Sequence, residues 1–209
     1  MSRFAYNTTL RRLKNNNGVV GNLPRIYNVD RNTYWYGYAS VNVAAASPFV
    51  RTKVHEGRFE GTSDITDGDL ILDRYDNSNY LVMSTKGIYS GGSDGQTAYF
   101  DATLYKANAV ATIQRQNLGT TDFFGRELEG FEDVATNVKL MTNPQNFSTD
   151  DQRDQVLQEN KIKVVLQSKV GVKLKDRIVT DLGDTLIIEN IDRSSLTNLV
   201  ICMCNFDVR

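Results

Sequence analysis

Four short runs rich in Val, Ile and Leu fill the last quarter of the chain: Ile162-Lys-Val-Val-Leu-Gln167, Asp176-Arg-Ile-Val-Thr-Asp181, Thr185-Leu-Ile-Ile-Glu-Asn-Ile191 and Leu199-Val-Ile-Cys-Met-Cys-Asn-Phe206. Gly, Asp, Asn and Ser separate them. Branched side chains suit a pleated surface and the intervening residues suit turns, so the pattern predicts consecutive antiparallel strands. Leu182-Gly183-Asp184 supplies a tight hairpin between two of them. At about 3.3 Å per residue, four such strands are expected to close into a small sandwich or barrel.

The same grammar occurs earlier. Gly68-Asp69-Leu70-Ile71-Leu72-Asp73-Arg74, a polar Asn77-Ser78-Asn79 and Tyr80-Leu81-Val82-Met83 parallel Lys175-Asp176-Arg177-Ile178-Val179-Thr180-Asp181, a turn, and Leu186-Ile187-Ile188. Each reads as a charged start, an apolar strand, a polar turn and a second apolar strand. Two readings stay open: a duplicated β-unit, or two hairpins that share a common grammar.

The remaining pattern divides the chain into four stretches. Residues 1–48 are a basic arm, with at most two helical turns over Thr8–Lys14, followed by an aromatic strand region from Tyr27 to Val43. Residues 49–116 are a first β-unit, 117–160 a polar linker or loop, and 161–209 the C-terminal β-unit. Within the linker, Val138–Met141 reads as a short strand and Gln152–Gln158 as a helix capped by Ser148 or Thr149. Gly87–Gly95 is too rich in glycine to pack and reads as a loop. The expected fold is mainly β: two small antiparallel β-barrel or β-sandwich units, with long loops and an extended N-terminal arm.

Composition agrees with a soluble folded chain of one or two domains: 209 residues, 40% apolar and 23% charged. No apolar run approaches the roughly 18–20 residues of a membrane span, and the first residues lack the apolar core of a secretory signal. No membrane partner is expected. Cys202 and Cys204 share one face of a strand, where a mutual disulfide is strained. They are expected to be reduced, buried and in a cytosolic setting.

A net charge of −1 hides segregation: +7 over residues 1–53, −10 over 54–160 and +2 over 161–209. Such blocks shape association more than fold. Copies of the chain are expected to meet basic segment to acidic belt, as in a ring or stack. The basic side chains singled out for an inter-subunit arm are Arg3, Arg11, Arg12, Lys14, Arg25 and Arg31; the aromatics singled out for an interface are Tyr34, Trp35, Tyr36 and Tyr38. The alternative for that cluster is base stacking on single-stranded nucleic acid.

Chemistry is sparse. His55 is the single histidine, so histidine-based metal clusters are excluded within one chain, and a Ser–His–Asp or Cys–His site needs that residue. Its place between charged neighbours predicts a solvent-facing strand position. Cys202-Met203-Cys204 lacks two further soft ligands for zinc. Asp64, Asp67 and Asp69 lack calcium-loop spacing and predict an Asp-Gly turn. Dinucleotide and phosphate-loop fingerprints are absent. Neither catalysis nor a cofactor is expected.

The segments Val170-Gly-Val-Lys-Leu-Lys-Asp176-Arg177-Ile178-Val179, Gly183-Asp184, Thr185–Ile191, Asp192 and Leu199–Met203 resemble the small β-barrel of tailed-phage neck proteins, the head-closure (stopper) and head–tail connector family. There a Gly-Asp-Arg-(Ile/Val) strand leads into a glycine turn and a strand of Tyr-x-Val-x-x-Ile type. In this chain Lys175 replaces the glycine and Leu186 takes the aromatic position. Gly68–Ser84 with Thr103–Arg115 resembles the same barrel. The resemblance implies a virion structural subunit assembled in the host cytoplasm, forming a homo-oligomeric ring between portal or connector protein above and tail protein below. Viral DNA passes through its lumen without sequence-specific binding. Glu56, Glu60, Asp64 and Asp67 are the expected lumen-facing acids, repelling DNA phosphates. Tail terminator and tail-tube rings are alternatives within this class. Outside it stand a nucleic-acid-binding module that uses the basic arm, and a β-sandwich hydrolase or carbohydrate-binding domain with a groove at Trp35.

Overall fold

The computed structural model describes residues 18–21, 23–41, 53–89, 97–117, 130–144 and 162–207. They form two compact units, one reaching to Ala107 and including Thr197–Leu199, the other running from Asn108 onward. A short hairpin of β1 (Val19–Val20) and β2 (Leu23–Pro24) precedes the first unit's main sheet. That sheet is built from β3 (Ile26–Asn28), β4 (Thr33–Trp35), β5 (Gly37–Val41), β6 (Val54–Glu60), β7 (Leu70–Asp73), β8 (Ser78–Tyr89) and β9 (Thr97–Lys106). Its order is β4-β3-β7-β8-β9-β6-β5. The two edges, β4 and β5, are separated by Tyr36 alone, so the sheet is rolled until its edges meet at that residue.

The second unit holds β10 (Ala109–Asn117), β11 (Gly130–Pro144), β12 (Ile162–Gln167), β13 (Arg177–Thr180), β14 (Thr185–Asp192) and β15 (Leu199–Phe206). These close into a barrel in the order β10-β11-β12-β15-β14-β13. The four C-terminal strands predicted from the sequence are all present, but they do not close by themselves. β10 and β11 complete the ring, because a strand edge left open needs a partner. The unit boundary therefore falls at Ala107, not near residue 116, and Gly130–Pro144 is a fifteen-residue barrel strand rather than linker. Thr103–Arg115, read as one piece of a barrel, spans the end of β9 and the start of β10. The predicted helix over 152–158 lies outside the described residues, as does the 90–95 part of the predicted Gly87–Gly95 loop; Gly87, Ile88 and Tyr89 are not loop but continue β8, paired with β9.

The units repeat one topology. β3, β7, β8, β9 and β6 occupy the places of β10, β13, β14, β15 and β12, and β4 with β5 together occupy that of β11. The match extends to single hydrogen bonds. Asp69 donates its N–H to Thr66 O at 3.2 Å, and Asp176 donates to Lys173 O at 3.2 Å. The same carboxylates accept the N–H of Thr66 at 3.0 Å and of Lys173 at 2.7 Å. Gly68 donates to Val82 O and Val82 to Asp69 O; Lys175 donates to Ile188 O and Ile188 to Asp176 O. One residue further on, β8 carries a bulge between Val82 and Ser84, and β14 carries one between Ile188 and Asn190. The parallel between the two sequence segments is thus a structural repeat, not shared hairpin grammar alone.

Each barrel fills with alternate side chains. Ile26, Trp35, Phe59, Ile71, Tyr80 and Leu104 form the first core. Ile113, Leu140, Val164, Leu166, Ile178 and Val200 lie in the second, with Cys202 and Cys204. Full burial of an aliphatic side chain of this size contributes roughly 1.5–3 kcal/mol, so these alternating positions fix the register. His55 departs from its expected solvent-facing place. In β6 it shares the inner face with Gly57 and Phe59, is 5% exposed and meets the Tyr80 ring edge-on at 5.1 Å.

Gly68 and Lys175 sit at matched turn positions with φ of +90° and +69°. A side chain in that region costs about 1–2 kcal/mol, so Lys175→Gly is expected to stabilise the protein by about 0.5–1 kcal/mol after the unfolded-state entropy of glycine is deducted. At Gly68 a Cβ would lie 2.3 Å from Asn198 Cβ, so Gly68→Ala is expected to cost about 2–4 kcal/mol; urea unfolding of both variants reads the signs. Burial pushes the Cys202 thiol up to about 12 and raises that of Cys204 further. The native state then holds protons that an unfolded thiol releases from about pH 8.5. Stability is full below that pH and falls as pH rises toward 12. Both thiols are expected to resist a disulfide reagent at pH 8 and to react together in denaturant.

Candidate functional site

The outer face of the first unit's sheet carries a polar pocket. Alternation in β6 sends His55, Gly57 and Phe59 inward and Glu56 and Arg58 outward. Cross-strand register places Tyr38 opposite Arg58, Asp101 on its other side, and Lys86 beyond Asp101. With Ser84 and Thr103 these line a pocket of about 370 Å³. Arg58 Nε donates to Asp101 Oδ1 at 2.7 Å, and its guanidinium lies 4.2 Å from the Tyr99 ring centre. Cations and carboxylates alternate, so this face carries little net charge, and no histidine or cysteine reaches it. Among the described residues no group of three His, Cys, Asp or Glu side chains converges on a point that could hold a metal ion.

Most side chains singled out from the sequence are committed inside their own unit. Arg25 is 9% exposed, and its fork grips the fully buried Asp73 at 2.6 and 2.5 Å. Asp73 also accepts the Tyr75 N–H, and the guanidinium lies over the Tyr75 ring. The pair pins the β7–β8 turn to the start of β3, so Arg25 belongs to the fold and not to an arm. Arg31 bonds Thr66 Oγ1 at 2.7 Å and lies 3.4 Å from Asp64 and 3.3 Å from Asp69. Arg3, Arg11, Arg12 and Lys14 lie outside the described residues.

The four acids divide in the same way. Glu60 holds the corner where the sheet's edges meet: its Oε1 accepts the Tyr36 N–H at 3.1 Å and its own N–H donates to Tyr36 O at 2.9 Å. Asp67 accepts from Thr85 Oγ1 at 2.8 Å and, through its carbonyl, from Asn198. Asp64 faces Arg31. Glu56 alone of the four stands exposed on the sheet face that lines the pocket. Trp35, expected at an interface, is 4% exposed and packs edge-on against Phe59 in the core. Tyr34 is exposed and lies 4.8 Å from the Tyr27 ring, Tyr36 is half-buried, and Tyr38 lines the pocket.

The sequence pattern marks Asp69 only as part of an Asp-Gly turn and does not mark Asp73 or Asp176, yet all three are buried and ion-paired. In the second unit Asp176 is 1% exposed and takes a fork from Arg115 at 2.9 and 2.8 Å. The available signal was the coincidence of an aspartate one residue before each of two parallel apolar strands.

Breaking one partner of a buried ion pair leaves an uncompensated charge. Asp73→Ala is therefore expected to cost about 3–5 kcal/mol. Asp101→Ala removes a half-exposed partner and is expected to cost less than about 1 kcal/mol. Chemical denaturation of the two variants separates fold from surface; equal losses would sink the distinction.

Compared with family models, with curated proteins and with solved structures, the chain matches none.

Proposed function

We propose that the chain is a non-enzymatic structural subunit of a tailed phage, assembled as a ring at the head–tail junction and joining portal or connector to tail around the DNA channel. The supporting observation is the repeated barrel. The segment that carries the resemblance, Lys175-Asp176-Arg177-Ile178, forms a turn and strand of a closed six-stranded antiparallel barrel, and the same turn recurs at Gly68-Asp69 in the first unit. Lys175 has the positive φ that Gly68 has at the matched turn of the first unit. A chain with two compact barrels and surfaces of mixed charge suits repetitive assembly, in which each subunit offers complementary patches to the next.

The reading of the acids narrows. Glu60 and Asp67 hold the fold, so reversing all four acids would disturb the barrel before it tested DNA passage. Glu56 remains the acid to reverse. The nucleic-acid reading has a specific observation in its favour, the exposed Tyr34 with Arg74 5.6 Å from its ring centre. Against it, Arg25 and Arg31 are occupied by carboxylates.

The mass of the purified protein in solution, with negative-stain images of the same sample, tests the proposal. Rings, or a monomer that closes into rings when portal or tail is added, are the expected result. A monomer that assembles with neither, yet retards DNA in a salt-dependent way, would replace the ring by the nucleic-acid module.

A further inference from the structure

The open edge in the second barrel lies along β11. On one side, Gly130 to Leu140 pairs with β10. On the other, β12 covers only Met141 to Pro144. Among the described residues no strand lies beside Gly130–Ala135 on that outer edge. β13 in turn covers β10 only as far as Gln114. From Arg115 to Asn117 the structure is thus a two-stranded ribbon, which is marginal in water without a third strand. Its base is fastened by the Arg115–Asp176 fork and by Arg177, whose guanidinium lies 4.8 Å from the Phe131 ring centre. Phe131 and Val134 are 36% and 39% exposed; beside them Glu132 is exposed opposite Arg115, and Asp133 is exposed and accepts from Gln114 Nε2 at 2.9 Å.

We propose that this edge docks residues 1–17 of a neighbouring copy as an added strand. Acidic side chains on an open edge discourage pairing with itself, because antiparallel β11 edges would bring Glu132 and Asp133 of two copies together. They favour a basic strand. Residues 1–17 carry four basic side chains and no acidic one, residues 42–52 carry a single arginine, and residues 90–96, 118–129 and 145–161 are each net acidic. The stretch Thr8–Lys14 that allows a short helix also continues an alternation of Phe4, Tyr6, Thr8 and Leu10 at every second position, the pattern that docking as a strand would select. Backbone bonds along the ribbon edge supply affinity and the charges select the partner. The donor's being a neighbouring copy rests on the ring reading above; the pairing of segment and edge does not.

A photo-crosslinker placed at Val134 of the full chain, mixed with an isotope-labelled full-length copy, reads the contact by mass spectrometry. Crosslinks from Val134 to residues 1–17 of the labelled copy are expected. Their yield should fall by at least about tenfold in Glu132→Lys/Asp133→Lys, and it should fall as salt rises. Crosslinks elsewhere, or a yield unchanged by the charge reversal, overturn the docking; rings that persist alongside such a result leave the ring reading standing. Crosslinks to residues 1–17 confined to single chains, in a protein whose mass stays monomeric, overturn the neighbouring-copy donor and the ring together.

Discussion

A buried aspartate at the start of one strand in each barrel is the constraint on which both units depend. Asp69 and Asp176 are 7% and 1% exposed. Each closes its turn through the backbone N–H three residues earlier and is met by an arginine from a distant strand or turn. A carboxylate so enclosed is tolerable only when its lone pairs are filled. The arginine therefore has to arrive from the right neighbour, and β7 and β13 can pair in one register only. The bulges at Val82–Ser84 and Ile188–Asn190 follow directly on the backbone bonds that these turns make. Because the same set of bonds appears twice, the turn specifies the barrel more tightly than the apolar pattern does.

Closure is solved in two ways. The second unit pairs β10 with β13 and β12 with β15, leaving a ring of six strands. In the first unit one stretch of chain, bent at Tyr36, serves both edges, and Glu60 fastens the bend. Removing edges in this way suppresses non-specific strand pairing. Among the described residues the uncovered part of β11 departs from that rule, as does β8 beyond Val82, and acidic side chains flank the β11 edge.

The C-terminal strands and the β7–β8 hairpin were legible because their inward positions are apolar and their turns carry Gly, Asp or Asn. β11 was not. Residues 131–134 are all exposed, so no alternation marks a strand over that stretch, and only Val138–Met141 carries the core pattern. The neighbours of His55 misled in the opposite direction: Val54 and Glu56 face outward, and the inward set of His55, Gly57 and Phe59 contains one strong hydrophobe. Trp35 and Tyr34 are adjacent and aromatic, yet strand alternation sends one into the core and leaves the other outside. Charge was the least legible feature. A carboxylate in a sequence does not reveal whether an arginine some forty to sixty residues away will reach it, as Arg25 reaches Asp73 and Arg115 reaches Asp176.

That internal use of charge changes what the segregation along the chain means. Much of the acidic belt is neutralised within the chain, mostly by arginines of the basic segment: Asp64 and Asp69 meet Arg31, Asp73 meets Arg25, and Asp101 meets Arg58 of the belt itself. Paired charges at these distances project little field beyond about 8–10 Å in physiological salt. On β11 the exposed acids are engaged as well: Glu132 lies opposite Arg115, and Asp133 accepts from Gln114 Nε2 at 2.9 Å. On the basic side, Arg25 and Arg31 are spent within the fold. The segregation along the chain is therefore spent in part on holding the first unit together, because arginines of the basic segment clamp carboxylates of the acidic belt.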